Sequence, residues 1–333
     1  MKSLVRVALL VTAAATWGTS AHAANVDCLG CHAGGPAAKG APVVDPVRLA
    51  GSAHAGLGCL ECHPQAAANP HPRPLPPVAC QSCHDRQGSA LALSVHGLRR
   101  PEAPDGVNRA AAGCTDCHGT HGVRSTEAIQ SGPGRTEVAA FCARCHERVA
   151  AVYRESVHGK AVASGIEDAP TCTNCHGEHV VAATSEPGSK VAARNIPRTC
   201  AACHDQEKVA SRLGLPVRRL ATYLDSYHGV VNQHGEAAVA NCASCHGVHD
   251  IRPAADPQSS IHPDNLGRTC GTCHPGAQRG LAGARIHVEA DPKSSLGMYV
   301  VRVFYTGLIG VLMVGFVAYM GIELYGTWRR RKP

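Results

Sequence analysis

Apolar residues are laid out in three ways along this chain. Near the start, Lys2 and Arg6 precede or flank a mostly apolar run over 4–15, and Ala21-His22-Ala23 is a small-x-small cleavage site. This pattern predicts a cleaved export signal over 1–23, since the apolar core is too short for a first membrane helix. Near the end, residues 303–322 are twenty positions without a charge, flanked by Arg302 on one side and by Trp328 and Arg329-Arg330-Arg331-Lys332 on the other. That length crosses a bilayer. The basic flank places the tail, 323–333, in the cytoplasm and everything before the linker 291–302 outside it. A buried core helix is the alternative, opposed by the abrupt charged stop. Gly307, Gly310, Gly315 and Gly321 would let another helix approach. Between these two ends, long periodic apolar stretches are missing. Only 136–155, with Val138, Phe141, Val149 and Val152, and 211–227, with Leu213, Leu220 and Leu224, predict helices. Both run into Ser-x-His-Gly, which would put Gly159 and Gly229 just past a helix C-terminus and hold His158 and His228 at fixed helix ends. The Pro-rich 69–77 predicts an extended strap.

The polar positions carry the chemistry. The chain has 18 cysteines. All fall in nine CxxCH motifs: Cys28, Cys31 and His32; Cys59, Cys62 and His63; Cys80, Cys83 and His84; Cys114, Cys117 and His118; Cys142, Cys145 and His146; Cys172, Cys175 and His176; Cys200, Cys203 and His204; Cys242, Cys245 and His246; Cys270, Cys273 and His274. CxxCH attaches c-type haem: two thiols add to the porphyrin vinyl groups and the adjoining His reaches the iron. One such motif is shared with redox and zinc pairs. Nine, with no cysteine outside them, predict nine covalently attached haem c groups. A disulfide framework gives no reason for His after every second Cys, and zinc would require the motifs to pair.

From Ser94 the motifs become periodic. Ser-x-His-Gly recurs at His96, His158 and His228, CxxCHGxH adds His121, His179 and His249, and a plain CxxCH closes each unit. The step between the two motif histidines is the same in all three units, from 118 to 146, from 176 to 204 and from 246 to 274. This is an internal repeat of two-haem modules over 94–290, preceded by a three-haem region over 24–93. Gly51-Ser52-Ala53-His54 is a loose echo of it.

Nine motif histidines leave nine iron faces to fill. The four methionines are Met1, Met298, Met313 and Met320, none in the haem-bearing region, so methionine ligation, which raises potential, is excluded. Of 21 histidines, twelve lie outside the motifs and His22 leaves with the signal, so eleven remain for nine irons. The repeat nominates His96, His121, His158, His179, His228 and His249. For the other three irons His54, His71 and His287 are favoured, with His234 and His262 as spares; Ala192 sits at the offset of His262 in the module before. A His three residues after a motif His is too close to reach the far face of the same iron, so it should ligate a neighbouring haem. Low-potential, six-coordinate irons follow.

Roughly 270 residues between signal and anchor leave about 30 per haem, too few for an ordinary side-chain core. Aromatics are 4%. The predicted fold is a mainly α/irregular multihaem cytochrome c: short helices and coil wrapped around stacked haems, almost no sheet, and one transmembrane helix. Without haem the chain should be largely unfolded. The formal charge of +7 is concentrated at the ends. Setting aside Lys2, Arg6, Arg302, Arg329, Arg330, Arg331 and Lys332 leaves 25 basic residues, and setting aside Glu323 leaves 24 acidic ones. With haem propionates the exported domain is acidic, and a nucleic-acid partner is not supported.

The pattern of Ser-x-His-Gly, CxxCHGxH and closing CxxCH resembles the bacterial multihaem c-type cytochromes with doubled CxxCH motifs, most of all the membrane-anchored ones working beside a membrane b-type cytochrome. The resemblance covers roughly Ser94 to the C-terminus. It implies respiratory electron transfer between a quinol-linked membrane partner and periplasmic or extracellular acceptors, through soluble redox partners. The anchor is C-terminal, unlike that of the quinol-dehydrogenase family, and no CxxCK marks a five-coordinate catalytic haem. A non-catalytic carrier is the favoured expectation. The alternative is a reductase of a small nitrogen or sulfur oxyanion, which needs one iron with an open face.

Overall fold

The computed structural model describes residues 27–34, 40–68, 70–98, 111–130, 133–235, 238–277 and 285–330. The expected export signal, 1–23, and residues 331–333 of the basic tail lie outside them. Among the described residues there are short helices, turns and coil, no strand, and one long helix, Leu296–Arg330. The side-chain core is thin: the buried hydrophobics are Val138, Val162, Tyr223 and six alanines, and the largest fully buried side chains are the serines Ser94, Ser156 and Ser259. Each of these hydroxyls donates to a main-chain carbonyl: Ser94 to Val181, Ser156 to Tyr153 and Ser259 to Arg252.

The chain divides into two units, the first comprising residues up to Thr199 with 246–260, the second 200–245 with 261–333. In the first unit one contact recurs at each module step. The amide of the residue after the Ser-x-His serine donates to a carbonyl two residues beyond a GxH histidine. The three rungs are Ala53 to Val123 (2.7 Å), Val95 to Val181 (2.9 Å) and Val157 to Ile251 (2.9 Å). The ladder therefore begins at the Ser52 echo: Ser52 Oγ accepts the His54 amide at 3.1 Å, as Ser94 Oγ accepts that of His96 at 3.3 Å. The echo hides in sequence because its motif step, from 63 to 84, is shorter than the step shared by the three later modules.

The two expected helices differ from expectation in instructive ways. The first runs Pro133–Glu155 with a break at His146 (φ −110°, ψ 45°). Ser156 then starts a new helix, Val157–Ala163, its Oγ accepting the Gly159 amide at 3.1 Å and donating to the Tyr153 carbonyl at 2.6 Å. Gly159 is thus inside a helix rather than beyond the end of one, and His158 sits in a first turn. Glycine is required there for space: a Cβ would lie 2.1 Å from the Tyr153 carbonyl oxygen. In the second unit Ser226 and Gly229 repeat the arrangement in the helix Tyr227–Gln233. Removing the cap with Ser156→Ala is expected to cost about 1–2 kcal/mol, read as an earlier denaturant midpoint with an unchanged haem count.

The second expected helix, 211–227, is not one helix. It is Glu207–Leu213 and Arg219–Leu224, with the chain leaving the first through Gly214 in the left-handed region (φ 62°). Pro216, between them, removes a donor and forbids continuation. Tyr153 and Tyr223, three residues before each serine, tie the corner by donating to the carbonyls of Pro170 (2.7 Å) and Ala240 (3.0 Å). Burial pushes both hydroxyls up to about 12, so they remain donors at any physiological pH. The final helix, 35 residues long, is wider than the predicted 303–322 span and absorbs half of the expected linker. It has no buried residue and is long and apolar enough to cross a membrane.

Candidate haem sites

The CxxCH motifs are placed in two ways. Those that open a module start a short helix: Cys114–His118, Cys172–His176 and Cys242–His246, with Cys59–Cys62 in the echo. In each, the residue just before the second cysteine turns back onto the amide of the residue preceding the motif. Glu61 accepts from Gly58 (3.1 Å), Asp116 from Gly113 (2.6 Å), Asn174 from Thr171 (2.7 Å) and Ser244 from Asn241 (3.1 Å). This satisfies an orphan donor of the first turn. The closing motifs Cys142 and Cys200 instead lie near the end of a helix already formed and carry alanine or arginine there. Sequence reasoning misses these acceptors, and residue type alone does not mark them: Ser82 and Thr272 hold the same place in two closing motifs, where their hydroxyls donate to the carbonyls of Ala79 and Arg268 instead.

After each opening motif the glycine of HGxH turns the chain. Gly119, Gly177 and Gly247 have φ of 73°, 88° and 83°, and Gly177 has ψ 177°, a region essentially confined to glycine. The turn sends the second histidine away from its own motif.

In the first unit the histidine rings meet in twos. Ring centroids are 6.0 Å apart for His32–His71, 5.9 Å for His54–His84, 6.2 Å for His63–His121, 6.1 Å for His96–His146, 6.0 Å for His118–His179 and 5.9 Å for His176–His249. In the second unit His228–His274 are 6.0 Å apart. Each pair joins one motif histidine to one outside the motifs. Two imidazoles binding one metal from opposite sides, with bonds of about 2 Å, bring their centroids about 6 Å apart. His54, His96 and His228 each face the next closing motif of their own repeat, at His84, His146 and His274. The GxH histidines His121, His179 and His249 face the opening motif of the repeat before, at His63, His118 and His176.

Ring pitch falls into two groups. The planes are 16° apart at His32, His118 and His176, 37° at His63, and 47°, 58° and 52° at the closing histidines His84, His146 and His274. Burial first, and the facing ring second, hold His118, His121, His176 and His228 below the ordinary imidazole range. They are therefore neutral, the form that binds metal. His32 Nδ1 donates to the Pro42 carbonyl (2.8 Å) and His71 Nδ1 to that of Pro72 (3.1 Å), which leaves Nε2 of both for a metal. A cavity of about 760 Å³ lies beside these rings, lined by His32, His63, His71, the Pro-rich strap, Cys80 and Cys114.

Of the other nominated ligands, His158 is the second residue of its helix, His204 ends Ile196–His204, His246 ends Cys242–His246, and His287 bonds Thr222. His234 caps the end of Tyr227–Gln233. His262 caps a 3₁₀ turn, its Nδ1 accepting the Asp264 amide at 3.3 Å, which leaves the proton on Nε2, the wrong tautomer for an Nε2 ligand.

The attachment cysteines are neighbours in chain order. In the first unit the thiols of Cys28 and Cys59, of Cys80 and Cys114, and of Cys142 and Cys172 lie within hydrogen-bond reach of each other, all as free cysteines. Cys62 lies within electrostatic reach of Cys80 and Cys83, and Cys117 of Cys142 and Cys145. In the second unit the same holds for the thiols of Cys200 and Cys242, and Cys245 lies within electrostatic reach of Cys270 and Cys273. Among the described residues no group of three or more His, Cys, Asp or Glu side chains converges as a metal site. The donor set is two imidazoles with two nearby thiols, which suits an iron that brings four in-plane nitrogens of its own.

No curated protein and no solved structure matches the chain. Residues 52–147 match the cytochrome c3 family. That segment begins at the first serine of the ladder and holds four CxxCH motifs, at Cys59, Cys80, Cys114 and Cys142. The match supports a multihaem electron-transfer cytochrome with covalently bound haem c.

Proposed function

We propose that the chain is a nine-haem electron carrier, exported and held at the cytoplasmic membrane by the Leu296–Arg330 helix, that passes electrons between a membrane quinol-oxidising or b-type cytochrome partner and periplasmic or extracellular acceptors. The observation that carries this reading is the facing of imidazoles at seven motif histidines, with centroids between 5.9 Å and 6.2 Å apart. At these seven it would offer an imidazole to each face of the iron, an arrangement that needs no open site there. The nine motif histidines take one face each, and His54, His71, His96, His121, His158, His179, His228, His249 and His287 take the others. When bound, each haem supplies a one-electron iron couple. The protein's part is to set spacing, ligand and burial, and the chain-order contacts of the attachment cysteines support a run of neighbouring sites within each unit. No histidine occurs between Leu296 and Arg330, so the helix cannot ligate a membrane haem alone, and a partner is required.

Electron paramagnetic resonance of the oxidised protein tests the reading. Wholly low-spin iron is expected, in two families. Near-parallel rings split the iron π orbitals and give rhombic signals; crossed rings leave them nearly degenerate and give strongly axial ones. Pyridine haemochrome analysis should return about nine haems per chain. A stoichiometric high-spin haem that binds nitrite would favour the reductase instead. Alkaline phosphatase fused after Lys332 is expected to be inactive.

A further inference from the structure

His287 lies outside the repeat, yet it is held as firmly as any histidine within it. Its Nδ1 is 2.9 Å from the hydroxyl of Thr222, which is 4% exposed and sits in the helix Arg219–Leu224. The same hydroxyl is 3.0 Å from the Arg218 carbonyl and 3.2 Å from that of Arg219. A threonine hydroxyl has one proton, and the helix carbonyls take it. Its oxygen therefore accepts from Nδ1–H, and the lone pair of the ring is left on Nε2. Two residues on, Glu289 pairs with Arg218 at 3.6 Å, so the segment is tied to the same helix end twice. The last two modules are related by one constant offset, from 156 to 226 and from 158 to 228, and at that offset Val152 stands where Thr222 stands. Tyr153, Ser156, His158 and Gly159 recur unchanged around it as Tyr223, Ser226, His228 and Gly229. The hydroxyl is thus present in the module that a non-repeat histidine reaches. His262, with Nδ1 as acceptor, shows the opposite tautomer.

We infer that Thr222 is a positioning residue for His287: its hydroxyl fixes the Nδ1–H tautomer and leaves the ring lone pair on Nε2, so that His287 serves as an axial ligand to one of the nine haems. This rests on the haem-ligand reading above. Groups that hold the second nitrogen of a ligating imidazole contribute about 10–100-fold to metal affinity.

The test uses the full-length holoprotein with cyanide as the competing ligand. Thr222→Val is expected to let cyanide capture one haem in nine with an apparent affinity about 10–100-fold above wild type, and Thr222→Ser should restore the wild-type value. His287→Ala should give one high-spin haem with the haem count still about nine. Thr222→Val placed on His287→Ala should add nothing to the cyanide affinity, a null that a merely structural role for Thr222 would not produce. The inference is overturned if His287→Ala leaves every haem low-spin, or if Val and Ser at 222 behave alike. A wild-type haem count far below nine would instead sink the underlying reading, and is read independently of either variant.

Discussion

Produced with its eighteen motif cysteines changed to alanine, so that no haem can be attached, the chain is expected to show the far-ultraviolet circular dichroism of a largely unfolded polypeptide and no cooperative thermal transition. The argument is one of area. Apolar burial stabilises by about 25 cal/mol per Å², while each ordered residue costs about 1–2 kcal/mol in backbone entropy. Among the described residues the buried hydrophobic side chains number nine, six of them alanine, and alanine offers little area. The short helices fare no better: those that open a module are five residues long, well below the ~12–15 at which an isolated helix becomes even marginal. Only the Leu296–Arg330 helix should persist, in detergent or lipid. A cooperative melt of the haem-free residues before Leu296 would contradict this.

The second large effect is expected at Gly177. Its backbone (φ 88°, ψ 177°) is closed to residues with a Cβ, and an added Cβ would fall 2.6 Å from the Val180 carbonyl oxygen. Strain of this kind costs about 1–3 kcal/mol, and relief requires the chain to leave the turn. The consequence is read elsewhere: His179 faces His118, so Gly177→Ala should create a high-spin haem at the Cys114–Cys117 site rather than at its own. His179→Ala should give the same spectrum with a smaller loss of stability. When Cys114 and Cys117 are also replaced, neither change should produce a high-spin signal. A high-spin haem that persists in that background would place His179 on a different iron.

Much of this is legible in the residues. The nine motifs, the constant step within each module, the lack of methionine near the irons and the single apolar helix are all properties of spacing and composition. The structure returns the predicted helix-and-coil class among the described residues. The histidines nominated outside the repeat, His54 and His71, do face motif histidines. What spacing alone does not supply is direction. Spacing sends a GxH histidine to a neighbouring haem, but which neighbour depends on the glycine turn and on rungs such as Val95 to Val181, which join residues far apart in sequence. Helix ends are hidden for a related reason. Apolar periodicity carries no mark at a corner, so the serine of Ser-x-His-Gly reads as the tail of one helix, whereas its hydroxyl caps the next. The break after Leu213 does have a visible signal in Gly214 and Pro216, which periodicity outweighs.

Because His121, His179 and His249 each face the opening motif of the repeat before, the motifs at His63, His118 and His176 gain a second imidazole only once the next repeat has been made. During synthesis from the N-terminus, the unfinished position would move down these repeats one at a time. Excising or duplicating a whole module should keep every remaining pair in register. Lengthening by any other amount should leave irons without their second imidazole, so evolution could change the reach of such an array only in whole steps.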